Sequence, residues 1–70
     1  MTNLVANVDG RTYRIEEDYP EVGAYLYVYE KDLCVYDYLQ DNIQMCKDFV
    51  METFNVPLTA WVEENRKHEN

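Results

Sequence analysis

Apolar and polar residues alternate from the third residue onward. Leu4, Ala6 and Val8 fall on one side of an extended chain, and Asn3, Val5 and Asn7 on the other. Asp9-Gly10 follows, a pair suited to a type I′ turn because both positions need positive φ. Beyond it Tyr13 and Ile15 alternate with Thr12, Arg14 and Glu16. The pattern predicts strands over 3–8 and 11–16 folded about Asp9-Gly10. That hairpin pairs Val8 with Arg11, Ala6 with Tyr13 and Leu4 with Ile15, so its apolar residues share one face.

Residues 17–23 read as a connection, since Pro20 cannot donate to a ladder and Gly23 permits a sharp bend. A second alternating pair spans 24–30 and 33–38, joined by Lys31-Asp32. A two-residue loop there pairs Val28 with Val35, Tyr27 with Tyr36, Tyr25 with Tyr38 and Tyr29 with Cys34. One face then carries Leu26, Val28, Leu33 and Val35, and the other Tyr25, Tyr27, Tyr29, Tyr36 and Tyr38. Residues 24–29 are uncharged strand formers throughout, an aggregation hazard on a sheet edge. A meander places them on an interior strand.

After this the period changes. Asp41-Asn42-Ile43-Gln44 has the form of a capping box with Asp41 as the cap. Ile43, Cys46, Phe49, Val50 and Phe54 follow helical spacing, which predicts a helix over about 42–54. Asn55 suits a left-handed helix end, and Pro57 blocks continuation. Pro57 also suits the first turn of a short helix over about 57–67, with Leu58, Trp61 and Val62 as its apolar patch. Arg66, Lys67 and His68 favour its C-terminal end, and Glu63 precedes Lys67 by one helical turn. The fold class is therefore α+β: one domain over 1–70, an antiparallel four-stranded β-meander packed on one face by a long α-helix, with a short C-terminal helix.

Composition narrows the function. With 70 residues the chain has no room for a nucleotide-binding α/β domain or a barrel enzyme. A hydrophobic content of 47% is enough for a packed core. No stretch approaches the roughly 20 apolar residues of a membrane span. The start of the chain lacks a basic segment followed by an apolar run, and the two cysteines then fit free thiols in a reducing, cytoplasmic setting. Fourteen acidic against six basic side chains give a net charge of −8, which disfavours direct contact with nucleic acid. Cys34, Cys46 and His68 make no ligand cluster, so neither a metal nor another cofactor is expected. Neither cysteine has a base beside it, and Glu16/Glu17 and Glu63/Glu64 diverge as chain neighbours. Gly10 and Gly23 both have turn roles, which leaves no phosphate loop. The chain reads as non-enzymatic.

One helix covers one face of such a sheet, and the aliphatic face is its natural seat. Tyr25, Tyr27, Tyr29, Tyr36 and Tyr38 then line the open face, with Glu30 and Asp32 as an acidic rim. Three uses fit that face: cross-strand stacking alone, a homodimer interface, or a surface for another protein. The inverse arrangement, tyrosines beneath the helix, also remains open. The acidic surface serves solubility or steers a basic partner.

The segments Asp37-Tyr38-Leu39-Gln40-Asp41 and Phe54-Asn55-Val56-Pro57-Leu58-Thr59-Ala60-Trp61 resemble those of short uncharacterised bacterial proteins, with an Asp-x-Leu-Gln-Asp helix start and a Val-Pro-x-x-Ala-Trp ending. The resemblance covers the C-terminal half and implies a bacterial source and a helix between the motifs. It carries no activity. The residues thus lead to a small acidic protein–protein interaction module, an inhibitor or immunity-like protein binding a basic partner. The alternative is a homodimeric structural protein that self-associates through the tyrosine face.

Overall fold

The computed structural model describes residues 2–64. Strands β1 (Asn3–Val8), β2 (Arg11–Glu17), β3 (Ala24–Glu30) and β4 (Leu33–Gln40) precede helix α1 (Ile43–Phe54). A 3-10 turn at Leu58–Ala60 and a short strand β5 (Val62–Glu63) follow. The chain is α+β, with one five-stranded antiparallel sheet in the order β4-β3-β2-β1-β5. The helix lies over β2, β3 and β4 on one face. β3 is interior, as its uncharged run requires.

The first hairpin forms in the register its sequence predicts. Asp9 and Gly10 take φ of 51° and 82°, and Val8 pairs with Arg11, Ala6 with Tyr13 and Leu4 with Ile15. Leu4, Ala6, Tyr13 and Ile15 are all buried. In the 17–23 connection the Tyr19 carbonyl accepts from the Val22 and Gly23 N–H groups at 2.8 and 3.0 Å. Gly23 has φ 114°, and a Cβ there would lie 2.1 Å from the Gln40 carbonyl oxygen. The connection thus seats directly against the far end of β4, and only glycine fits.

The second hairpin departs from the expected register. Lys31 and Asp32 turn with φ of 51° and 69°, and Tyr29 pairs with Cys34 as predicted. The ladder then shifts between Val28 and Tyr29, and Val28 pairs with Tyr36 instead of Val35. Val35 is left over as a β-bulge. Every later pair moves by one residue: Tyr27 meets Asp37, Leu26 meets Tyr38 and Tyr25 meets Leu39. Tyr36 and Tyr38 therefore lie on the helix face, not beside Tyr25, Tyr27 and Tyr29. Two costs explain the shift. The regular register would place Asp37 on the face beneath the helix, where a carboxylate without a partner is expensive. The bulged register turns Asp37 outward and sets Tyr38 against Phe49, with ring centroids 4.6 Å apart, and Tyr36 against Phe54 at 5.7 Å. Such aromatic pairs contribute about 0.5–1.5 kcal/mol beyond the area they bury. The aliphatic face of β3 still packs beneath the helix, with Ala24, Leu26 and Val28 buried, so the two faces expected of the second hairpin are exchanged on β4 alone.

The helix start also differs slightly. Asn42, not Asp41, is the cap: its backbone is extended and its Oδ1 accepts from the Met45 N–H at 2.9 Å. Cys46 and Val50 are buried against the sheet, and Ile43, Phe49 and Phe54 pack around them. Asn55 ends the helix with φ 61°, donating its N–H to the Met51 carbonyl at 3.0 Å.

The expected helix over 57–67 is replaced, within the described residues, by the 3-10 turn and β5. Trp61 is extended and packs on the core, with its indole N–H buried and without an acceptor among the described residues. β5 then pairs Val62 with Val5 and Glu63 with Leu4, and the Glu64 N–H donates to the Asn3 carbonyl at 2.8 Å. This satisfies backbone groups of β1, which a terminal helix would have left as an open edge. Leu58 and Val62 stay exposed instead of forming an apolar patch. Arg66, Lys67 and His68, and the pairing of Glu63 with Lys67, lie outside the described residues.

Candidate functional site

The sheet face opposite the helix carries a row of tyrosines along β3. Tyr25 and Tyr27 have ring centroids 6.2 Å apart with planes 14° from parallel, and Tyr27 and Tyr29 are 6.5 Å apart at 42°. All three are half-buried. Strand alternation puts them there: Ala24, Leu26 and Val28 point into the core, so the intervening residues point out.

The neighbouring strands set the electrostatics of this row. On β2, Glu16 lies opposite Tyr25, Arg14 opposite Tyr27 and Thr12 opposite Tyr29. On β4, Leu39 lies opposite Tyr25, Asp37 opposite Tyr27 and Cys34 opposite Tyr29. Arg14 does not fold over the rings. It reaches across β1 to an ion pair with Glu64. Glu16 and Asp37 have no hydrogen bond or ion pair among the described residues, so two carboxylates flank the row with their charge unspent. The phenol of Tyr27 is held above its ordinary pKa, first by burial and then by the Glu16 carboxylate.

The residues singled out from sequence are not all gathered here. Tyr25, Tyr27 and Tyr29 share the open face. Tyr36 and Tyr38 stack on each other at 6.1 Å on the helix face. Glu30 is also on that side, paired with Arg11 at 2.6 Å, and the Arg11 guanidinium lies 5.5 Å from the centre of the Phe54 ring. Arg11 is held above its ordinary pKa by Tyr13 and then by Glu30. Asp32, in the β3–β4 turn, lines an open groove with Thr12, Arg14, Glu16 and Tyr29, so it belongs to the rim of the tyrosine face.

Glu16, Asp37, Leu39 and Arg14 are the members that sequence reasoning missed. Glu16 was within reach, because the first hairpin's alternation already puts it on the open face. Asp37 and Leu39 were hidden by the bulge.

The two free thiols sit in different surroundings. Cys46 is buried, its thiol donates to the Ala24 carbonyl at 3.6 Å, and burial pushes its pKa up to about 11. Cys34 is exposed, and its thiol donates across the bulge to the Tyr36 carbonyl at 3.4 Å. Among the described residues no group of three or more His, Cys, Asp or Glu is placed to hold a metal ion, and no helix is long and apolar enough to cross a membrane. No protein-family model, curated protein or solved structure matches this chain.

Proposed function

We propose that this chain is a small protein–protein interaction module whose open sheet face receives cationic side chains of a basic protein. The observation that carries this reading is the row Tyr25, Tyr27, Tyr29 flanked by Glu16 and Asp37. A guanidinium or ammonium over a tyrosine face gains from the ring quadrupole, and a carboxylate beside it adds a charge-assisted contact. Arg14 is held away by Glu64, which leaves Tyr27 open to a cation from outside. The net charge of −8 steers a basic partner toward the surface and speeds encounter. Asp32 extends the acidic rim at the hairpin end. Such a face, laid on a basic surface, would mask it from nucleic acid or other acidic ligands, which is how an inhibitor or immunity-like protein works. The reading involves no catalysis, cofactor, membrane or direct nucleic-acid contact.

The test is calorimetric titration with an arginine-rich peptide and with its citrulline counterpart, which keeps the shape and loses the charge. Binding is expected for the first and not for the second. Tyr27→Ala, and separately Asp37→Asn, should each weaken binding about tenfold, with the thermal melt lowered by about 5 °C at most. Equal binding by wild type and Tyr27→Ala would sink the proposal.

A further inference from the structure

The two edges of the sheet are unequal. β5 closes one edge with two residues, one of them Glu63, followed by Glu64. β4 forms the other edge with eight residues and a single charge, Asp37. Three of its large apolar side chains are exposed: Leu33 by 67%, Tyr36 by 44% and Leu39 by 54%. An edge strand turns alternate N–H and C=O groups outward, and natural sheets blunt such edges with lysine, proline or shortness. β4 has none of these, only the bulge at Val35.

We infer that β4 is a self-pairing edge, along which a second copy of this chain adds antiparallel to form one continuous ten-stranded sheet. The choice of a second copy rests on charge. Thirteen of the chain's fourteen carboxylates lie outside this strand, so its backbone edge, unlike the tyrosine face beside it, offers a basic partner little charge. A nearly neutral strip is the part of an acidic molecule that a like molecule can approach. It also keeps matching faces together, since a two-fold axis perpendicular to the sheet puts both helices on one side.

The register follows from face and charge. Residues 36–40 alternate regularly beyond the bulge, so directly opposed residues share a face only when the axis passes through one of them. An axis at Asp37 sets that carboxylate against itself. An axis at Leu39 sets Asp37 against Asp41. An axis at Tyr38 avoids both: Asp37 lies opposite Leu39 of the second copy, Tyr36 opposite Gln40 of the second copy, and the two Tyr38 side chains meet on the helix side. The open face then carries two tyrosine rows side by side, which would let one dimer grip two cationic segments.

Sedimentation equilibrium over a wide concentration range tests the inference, with two charge variants of one exposed residue. The wild type should reach twice its 8.4 kDa mass. Leu39→Glu places a carboxylate opposite Asp37 at two symmetric positions and should weaken the dimer about tenfold, whereas Leu39→Lys should leave it as tight or tighter. Tyr27→Ala, on the face and not the edge, should leave the dimer intact. A wild type that stays at monomer mass at millimolar concentration overturns the inference. So does equal weakening by Leu39→Glu and Leu39→Lys, or dissociation by Tyr27→Ala. Titration of Tyr27→Ala with the arginine-rich peptide reads the open face, and the mass of the Leu39 variants reads the β4 edge, so either result stands without the other.

Discussion

The hairpins β1–β2 and β3–β4 begin alike and end differently. Each closes on two residues with positive φ, and each pairs correctly next to its turn. The first continues without interruption because alternation and burial agree along its whole length. Asn3, Val5 and Asn7 tolerate the open face, and Leu4 and Ala6 fill the core. In the second, strict alternation conflicts with burial: it would carry Asp37 beneath the helix and Tyr38 away from Phe49. One unpaired residue, Val35, resolves the conflict and moves half of the strand to the other face. A turn sets the first pairs of a ladder, but the whole strand's partners decide whether that register persists.

The largest effect should come from the point where the two hairpins are joined. Gly23→Ala places a methyl group against the Gln40 carbonyl at a φ that alanine avoids. It should cost about 3 kcal/mol or more, a fall in melting temperature on the order of 15 °C. A melt within a few degrees of wild type would show that the connection does not clamp β4 in place.

Next comes a pair of variants that asks which face each tyrosine serves. Tyr38→Ala removes the ring packed on Phe49 and should cost about 2–3 kcal/mol in urea unfolding. Tyr27→Ala, from the open face, should cost about 1 kcal/mol or less. Equal costs would mean that all five tyrosines of β3 and β4 sit in similar surroundings, as an unbulged hairpin requires.

Deletion of Val35 tests the bulge itself. Cys34 then adjoins Tyr36, regular pairing resumes, and Tyr36 still lies opposite Val28. The cost should be about 1 kcal/mol, from one partly buried side chain, with Tyr38–Phe49 contacts persisting in nuclear Overhauser spectra. Loss of those contacts would show that the leftover residue is not Val35.

The smallest effect concerns the turns. The first uses Gly10, while the second holds both Lys31 and Asp32 at positive φ without a glycine. Asp32→Gly should therefore stabilise the chain by about 0.5–1 kcal/mol, read as a shifted denaturant midpoint with an unchanged slope. A destabilised variant would show that the Asp32 side chain does something for the turn that its backbone angle does not reveal.

Local chemistry explains which features were legible beforehand. Asp9-Gly10, the alternation of residues 3–16, the helical stripe from Ile43 to Phe54 and the left-handed Asn55 all express preferences of neighbouring residues, and the fold follows them. The tail reads as a helix because Pro57, Leu58, Trp61 and Val62 have helical spacing. It becomes a strand because β1, more than fifty positions earlier, needs a hydrogen-bonding neighbour. The candidate site divides the same way. Tyr25, Tyr27 and Tyr29 follow from alternation on one strand. Asp37 and Leu39 join them only through a bulge, and Arg14 is drawn aside by Glu64 from the far edge. Long-range partners decided these outcomes, and no short window contains them.

Trp61 is the chain's one tryptophan, and it sits on the core just before the strand that closes the sheet. Its indole N–H is buried, and its backbone runs directly into that last strand. The molecule therefore has an optical gauge at its closing seam: undocking of β5 alone would shift the emission to the red and let iodide quench it, with the rest of the sheet intact.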